Sequence, residues 1–143
     1  MITGIGHVAF RITNLERSLD FYCAKLGLRE AFRLDREGEP SPWIVYLQVA
    51  PSHFVELFPG ASAGEGGPRP ASDAGYNHFC LLVDDMDATL RQLTEHGLPI
   101  EGAATLGQDN NWQYWIADPD GNRIELMQIM PGSPHAAADA RAV

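Results

Sequence analysis

Apolar positions run through the chain in two rhythms. In residues 5–12, Val8, Phe10 and Ile12 alternate with His7, Ala9 and Arg11, which predicts a strand. After Asn14 the apolar positions Leu15, Leu19, Phe21, Tyr22 and Leu26 fall at helical spacing and stop at Gly27. That predicts a helix over about 15–26, with Asn14 as N-cap and Gly27 as a left-handed stop. Strands are expected near 29–34, 43–49 and 53–58. Gly, Pro, Ala and Ser then crowd Pro59–Gly75, which reads as a linker with the character of a flap. The order returns beyond it: a strand over 77–83, Asp85 as cap, a helix over 86–96, and strands near 101–105, 112–117 and 123–129. Asp118-Pro119-Asp120-Gly121-Asn122 predicts a turn between the last two. The tail 131–143 is expected to be flexible.

The two series align residue by residue. With His7 over His78, HVAFRITNLERSLDFY lies over HFCLLVDDMDATLRQL without a gap, and each helical stretch ends in Gly-Leu, at Gly27-Leu28 and Gly97-Leu98. Further on, WIVYL from Trp43 overlies WQYWI from Trp112, and FVELF from Phe54 overlies RIELM from Arg123. A period near 70 residues is too long for a solenoid unit and reads as a duplicated half-domain. The expected organisation is α+β: one domain over 1–130, made of βαβββ modules at about 3–58 and 76–130 and joined by the linker 59–75.

Composition narrows the partners. A length of 143 residues at 45% hydrophobic supports one core or two small halves. The absence of a run of about 18 apolar residues predicts no membrane partner. The net charge of −9 argues against nucleic acid, which needs a basic footprint. MITGIGHVAF lacks the features of a signal peptide, and Cys23 and Cys80 show no disulfide spacing, so a cytoplasmic protein with reduced thiols is expected.

The repeat also duplicates chemistry. His7 and Glu56 stand 49 positions apart, and His78 and Glu125 stand 47 apart. Two imidazoles and two carboxylates suit a divalent metal of intermediate hardness: nickel, cobalt or zinc first, with manganese or iron as further options. Strand alternation puts His7 with Ala9 and Arg11, His78 with Cys80 and Leu82, Glu56 with Phe54 and Phe58, and Glu125 with Arg123 and Met127. All four candidate ligands thus fall on the face away from the helices. A carboxylate buried there without a partner costs several kcal/mol, by rough estimate, and a metal removes that cost. Phe58, Trp115 and Met127 are candidate substrate contacts on this face. Trp43, Trp112, Trp115, Phe54 and Phe58 are otherwise read mainly as core, and Cys80 as an inert buried thiol. The segment Gly107–Gln113 mixes polar and aromatic residues in a way that suits a hydroxyl-rich ligand. His53, His96 and His135 are read as structural or exposed.

Gly6-His7-Val8-Ala9-Phe10-Arg11, the helix Leu15–Tyr22 and the closing Asp118–Leu126 together resemble the vicinal-oxygen-chelate superfamily, over about residues 3–130. That superfamily includes glyoxalase I, methylmalonyl-CoA epimerase, extradiol dioxygenases and antibiotic-resistance proteins. The resemblance implies a glyoxalase-like fold, in which paired βαβββ modules form a cupped mixed sheet with helices outside. It also implies a central divalent metal, a small-molecule substrate and a homodimer, with sites formed within one chain or shared between two. The ligand pattern is most similar to glyoxalase I, which implies a lyase or isomerase that moves a proton next to a carbonyl through a metal-bound enediolate. In that reading Glu125 is the principal base, Glu56 its opposite number, and His7 and His78 are ligands only. A binding or resistance protein and an iron-dependent ring-cleaving dioxygenase are the alternatives. Arg11, four positions after the first His, matches the residue that contacts the γ-glutamyl carboxylate of glutathione in bacterial glyoxalase I, although it could instead pair with Glu56. Gly60 stands where those enzymes carry Asn, which leaves another thiol, a sugar derivative or an acyl-CoA open as substrate.

Overall fold

The computed structural model describes residues 1–62 and 74–141, so most of the expected linker, residues 63–73, lies outside the described residues. The described chain forms two compact units. One contains residues 1–62 with the turn Asp118–Gly121, and the other residues 74–117 and 122–141. Each carries one four-stranded mixed sheet, the glyoxalase-like α+β arrangement that the repeat predicts.

In the first unit, β1 (His7–Ile12), β2 (Arg29–Leu34), β3 (Ile44–Ala50) and β4 (His53–Pro59) assemble in the order β1-β4-β3-β2. β1 and β4 run parallel and the remaining pairs antiparallel. A parallel pair needs a long crossover, and the helix after β1 begins it. α1 (Leu15–Leu19) starts where the Asn14 side chain accepts a hydrogen bond from the Arg17 amide at 2.9 Å. The predicted single α-helix is corrected in its second half: residues Asp20–Lys25 widen into a π-helix, with the Leu26 amide donating to the Phe21 carbonyl five residues back. The wider turn lets two consecutive aromatics, Phe21 and Tyr22, both be buried, edge-to-face at 5.1 Å. They join Phe10, Ile12, Val45, Leu47, Val55 and Leu57 in the core of this unit. Gly27 then ends the helix at φ +79°, as the sequence predicts.

The second unit repeats the plan. β5 (Phe79–Leu82), β6 (Thr105–Leu106), β7 (Trp112–Ala117) and β8 (Arg123–Gln128) lie in the order β5-β8-β7-β6, with β5 and β8 parallel. Asp85 caps α2 (Met86–Glu95) by accepting from the Ala88 amide at 2.8 Å, and Gly97 follows it at φ +80°. Met86, Leu90 and Leu93 join Tyr114, Ile124 and Leu126 in its core.

Three expectations change here. The strand expected near 101–105 shrinks to Thr105–Leu106, because the Tyr114 hydroxyl takes over the backbone of Glu101, accepting from its amide at 2.8 Å and donating to its carbonyl at 2.9 Å. The flexible tail gives way to α3 (Pro134–Asp139), capped by buried Ser133, with Pro at the start where a missing N–H costs nothing. The turn Asp118–Gly121 does more than reverse the chain. Asp118 accepts from the buried Tyr22 hydroxyl at 2.8 Å, Asp120 accepts from the Thr13 amide and hydroxyl, and the Pro119 carbonyl accepts from Arg17.

Candidate metal centre

In each unit the sheet face opposite the helix holds one His–Glu pair. His7 opens β1, and Glu56 lies in β4 directly across from Ala9 on one side and Tyr46 on the other. The His7 Nδ1 is 3.3 Å from Glu56 Oε1. Glu56 is only 5% exposed, whereas the His7 side chain is 54% exposed. The Tyr46 hydroxyl hydrogen-bonds to Glu56, and this, with burial and the carboxylate's charge, raises the phenol above its ordinary range. Tyr46 also stacks on Phe32 at 4.2 Å, so the hydroxyl is carried by a ring that is itself held.

In the second unit His78 immediately precedes β5, and Glu125 lies in β8 between Cys80 and Trp115. His78 Nε2 is 3.1 Å from Glu125 Oε2, and Nδ1 is 2.7 Å from the Asn77 Oδ1. Both ring nitrogens thus face oxygen. A neutral imidazole can donate from only one of them. With the Nδ1 proton given to Asn77, the Nε2 lone pair and a carboxylate that is 7% exposed face each other, an arrangement that a cation resolves. The outward hydrogen bond from the far nitrogen is also how metal-bound imidazoles are oriented. By this donor chemistry each pair fits a divalent metal. Among the described residues, no group of three or more His, Cys, Asp or Glu side chains with metal-holding geometry occurs.

The Cys80 thiol is pushed up to about 12, first by burial and then by the charge of Glu125 and its hydrogen bond to that carboxylate, with Asp109 adding to it. Cys80 as a residue presents open surface, although its thiol sulfur lies against Glu125. The buried thiol expected from the sequence is corrected to an exposed residue whose sulfur is held in its protonated form.

The other candidates fall as follows. Arg11 is exposed on the His7 face and forms no ion pair among the described residues, while Glu56 pairs with His7 instead. Phe58 is half-buried and meets Trp43 edge-to-face at 5.9 Å, and Met127 is buried beside Glu125 on β8. The core reading of the aromatics is corrected: Trp112 and Trp115 are 37% and 38% exposed, and Trp43, Phe54 and Phe58 are half-buried. Trp115 shares the open face with Glu125, whereas Trp112 lies across from Gln128 at the helix-facing edge of its sheet. Within Gly107–Gln113, Asp109, Asn111 and Gln113 are engaged with one another. Asp109 accepts from the Asn111 and Gln113 side chains, and Asn111 further meets His135 and the Met130 amide. His135 is therefore a contact that holds α3, 3.5 Å from Asp109. The partners that the sequence reading missed are Tyr46 and Asn77. Strand register would have found Tyr46, since it is directly opposite Glu56.

The comparisons with known proteins identify the family and the fold. The model of the Glyoxalase/Bleomycin resistance protein/Dioxygenase superfamily matches residues 4–126, and the chain belongs to that family. A catechol-2,3-dioxygenase of Bacillus subtilis is 31% identical over 92% of this chain, which spans 43% of that protein's length. A lactoylglutathione lyase of Neisseria meningitidis is 29% identical over 92% of this chain and 94% of its own. Among solved structures, a superfamily member from Sphaerobacter thermophilus is 26% identical, with a TM-score of 0.63 over 90% of this chain and 98% of that one. No helix among the described residues is long and apolar enough to cross a membrane.

Proposed function

We propose that the protein is a metal-dependent lyase or isomerase of the glyoxalase type that moves a proton between carbons next to a carbonyl of a small-molecule substrate. The observation that carries this reading is the duplicated pair of a nearly buried glutamate against a histidine, His7–Glu56 at 3.3 Å and His78–Glu125 at 3.1 Å. His7, Glu56, His78 and Glu125 would hold one divalent metal, nickel, cobalt or zinc before manganese or iron. When bound, it supplies Lewis-acid stabilisation of developing negative charge on a substrate oxygen.

The remaining work belongs to the chain. Glu125 takes and returns the proton at Oε2. Its opposite number Glu56 accepts a hydrogen bond from the Tyr46 hydroxyl, which makes it the more firmly held carboxylate. At the equivalent place Glu125 has Trp115, which offers no hydroxyl, and its donor is the weaker Cys80 thiol, so it is the freer base. Trp115 and Met127 exclude water beside Glu125, while Phe58 does so beside Glu56. Arg11 is the contact for an anionic end of the substrate. The working form is a cytoplasmic homodimer.

A ring-cleaving dioxygenase is the second reading, favoured by the similarity to a catechol-2,3-dioxygenase. Such a site needs two histidines and one carboxylate. The test combines metal analysis of purified protein with turnover of thiol–aldehyde adducts. Bound nickel, cobalt or zinc, lost in His78→Ala, and turnover abolished by either Glu125→Gln or Glu56→Gln support the lyase or isomerase. Bound iron, oxygen consumption and an active Glu56→Gln establish the dioxygenase instead. No metal after reconstitution with each ion leaves a small-molecule binding protein.

A further inference from the structure

The second unit contains a cation that neither its fold nor the His–Glu pair requires. Arg123 opens β8 two residues before Glu125 and on the same face of the sheet. Its guanidinium carbon lies over the Trp115 ring, 4.5 Å from the centroid. Trp115 in turn meets the His78 ring edge-to-face at 4.7 Å, and His78 meets Glu125. Arg123, Trp115, His78 and Glu125 are thus one contiguous run of contacts that begins at open surface and ends at a nearly buried carboxylate.

The Arg123 guanidinium makes no hydrogen bond or ion pair with any of the described residues. Three arginines are engaged, Arg33 with Glu30, Arg17 with the Pro119 carbonyl and Arg29 with Gln48, whereas Arg11 forms no ion pair among the described residues. In a chain with 19 acidic and 10 basic residues, a guanidinium beside the candidate site with no carboxylate partner among the described residues calls for a reason. Stacking over an aromatic face uses the π face of the guanidinium and leaves its N–H edge, the edge that grips a carboxylate or phosphate with two parallel hydrogen bonds. Arg36 lies similarly over Trp43 at 5.0 Å, but Trp43 meets Phe58 rather than a candidate ligand. The second unit's pair is the one joined to the site.

We infer that Arg123, steadied by Trp115, is an anion-recognition residue of the His78–Glu125 site, so that the substrate carries a carboxylate or phosphate. The placement also answers an electrostatic problem: an anionic substrate approaching Glu125 meets like charge, and Arg123 is the cation two residues away that offsets it. This inference rests on the reading that His78 and Glu125 face the substrate.

The test is a tryptophan-fluorescence titration of the full chain, with EDTA present and again after metal loading, using glutarate, glycerol phosphate and, as neutral control, dimethyl glutarate. A saturable response to either anion and none to the ester is expected. The glutarate and glycerol phosphate arms tell which anion class the site takes. Arg123→Gln should weaken the response about tenfold or more, with Arg123→Lys in between because the lysine keeps the charge and loses the fork. Circular dichroism and metal content should stay as in the parent for both variants. No saturable response to either anion, or equal affinity in the parent and Arg123→Gln, overturns the inference. Its failure is distinguishable from that of the metal reading. Anion binding that depends on Arg123 in a protein that takes up no metal sinks the enzyme and keeps this residue's role, and metal uptake without anion binding does the reverse.

Discussion

The bond between Tyr22 and Asp118 gives the firmest quantitative expectation. Tyr22 is fully buried, Asp118 is 5% exposed, and the two oxygens are 2.8 Å apart. Tyr22→Phe removes a donor and little volume, so the cost should be that of one hydrogen bond to a charged group, about 1.5–3 kcal/mol. Asp118→Ala does more. It strands the buried hydroxyl and releases the Asp120 amide from Asp118 Oδ1, a bond of 3.0 Å, so about 2–4 kcal/mol is expected. Both residues have further contacts, and a double-mutant cycle is therefore the right comparison. The coupling energy should be about 1–3 kcal/mol. Urea unfolding followed by far-ultraviolet circular dichroism measures it. At a denaturant dependence of about 2 kcal/mol per molar, Tyr22→Phe should move the midpoint down by about 1 M. A coupling below about 0.5 kcal/mol would show that the turn merely lies near the π-helix and does not hold it.

Other outcomes follow from the same contacts. Tyr46→Phe should leave Glu56 without its hydroxyl donor and weaken metal retention less than Glu56→Gln does, read by dialysis against a chelator; an effect equal to that of Glu56→Gln would refute the supporting role of Tyr46. In chelator-treated protein at pH 8, a Cys80 thiol raised from 9.0 to about 12 holds far less thiolate, so alkylation should be roughly a hundred to a thousandfold slower than for a free cysteine, and should quicken as pH rises toward 12. Labelling at the free-thiol rate would contradict this. The Cys23 thiol, raised first by burial and then by Glu30, should also label slowly. Asn14→Ala and Asp85→Ala each remove an equivalent helix cap and should each cost about 1 kcal/mol in urea unfolding; no change in either would show that the cap bond is not formed in solution.

The face on which each candidate residue lies was legible because the evidence for it is local. Val8, Phe10 and Ile12 alternate with His7, Ala9 and Arg11, and the structure buries Phe10 and Ile12 while leaving His7, Ala9 and Arg11 exposed. The helix ends were legible for the same reason, since Asn14, Asp85, Gly27 and Gly97 act through bonds within a few residues. The π-helix was not legible, because its reason is tertiary: it lets both Phe21 and Tyr22 enter one core, where Tyr22 reaches Asp118, 96 positions away. The aromatics were misassigned for a related reason. A tryptophan's size predicts burial, but only packing shows that Val45, Leu47, Val55 and Leu57 already fill the helix-facing side of β3 and β4.

By itself, the sequence determined the duplication, the strand and helix order of each half, the side of each sheet that bears histidine and glutamate, and the family these motifs resemble. Such features follow from periodicity and short-range bonding, which a linear pattern records. Tertiary structure alone decided the long-range partners: the Trp115 ring between Arg123 and His78, Tyr22 against Asp118, and a tail held through His135 against Asn111 and Asp109. A partner depends on which side chains long-range pairing brings within about 3–5 Å, and no spacing along the chain encodes that distance.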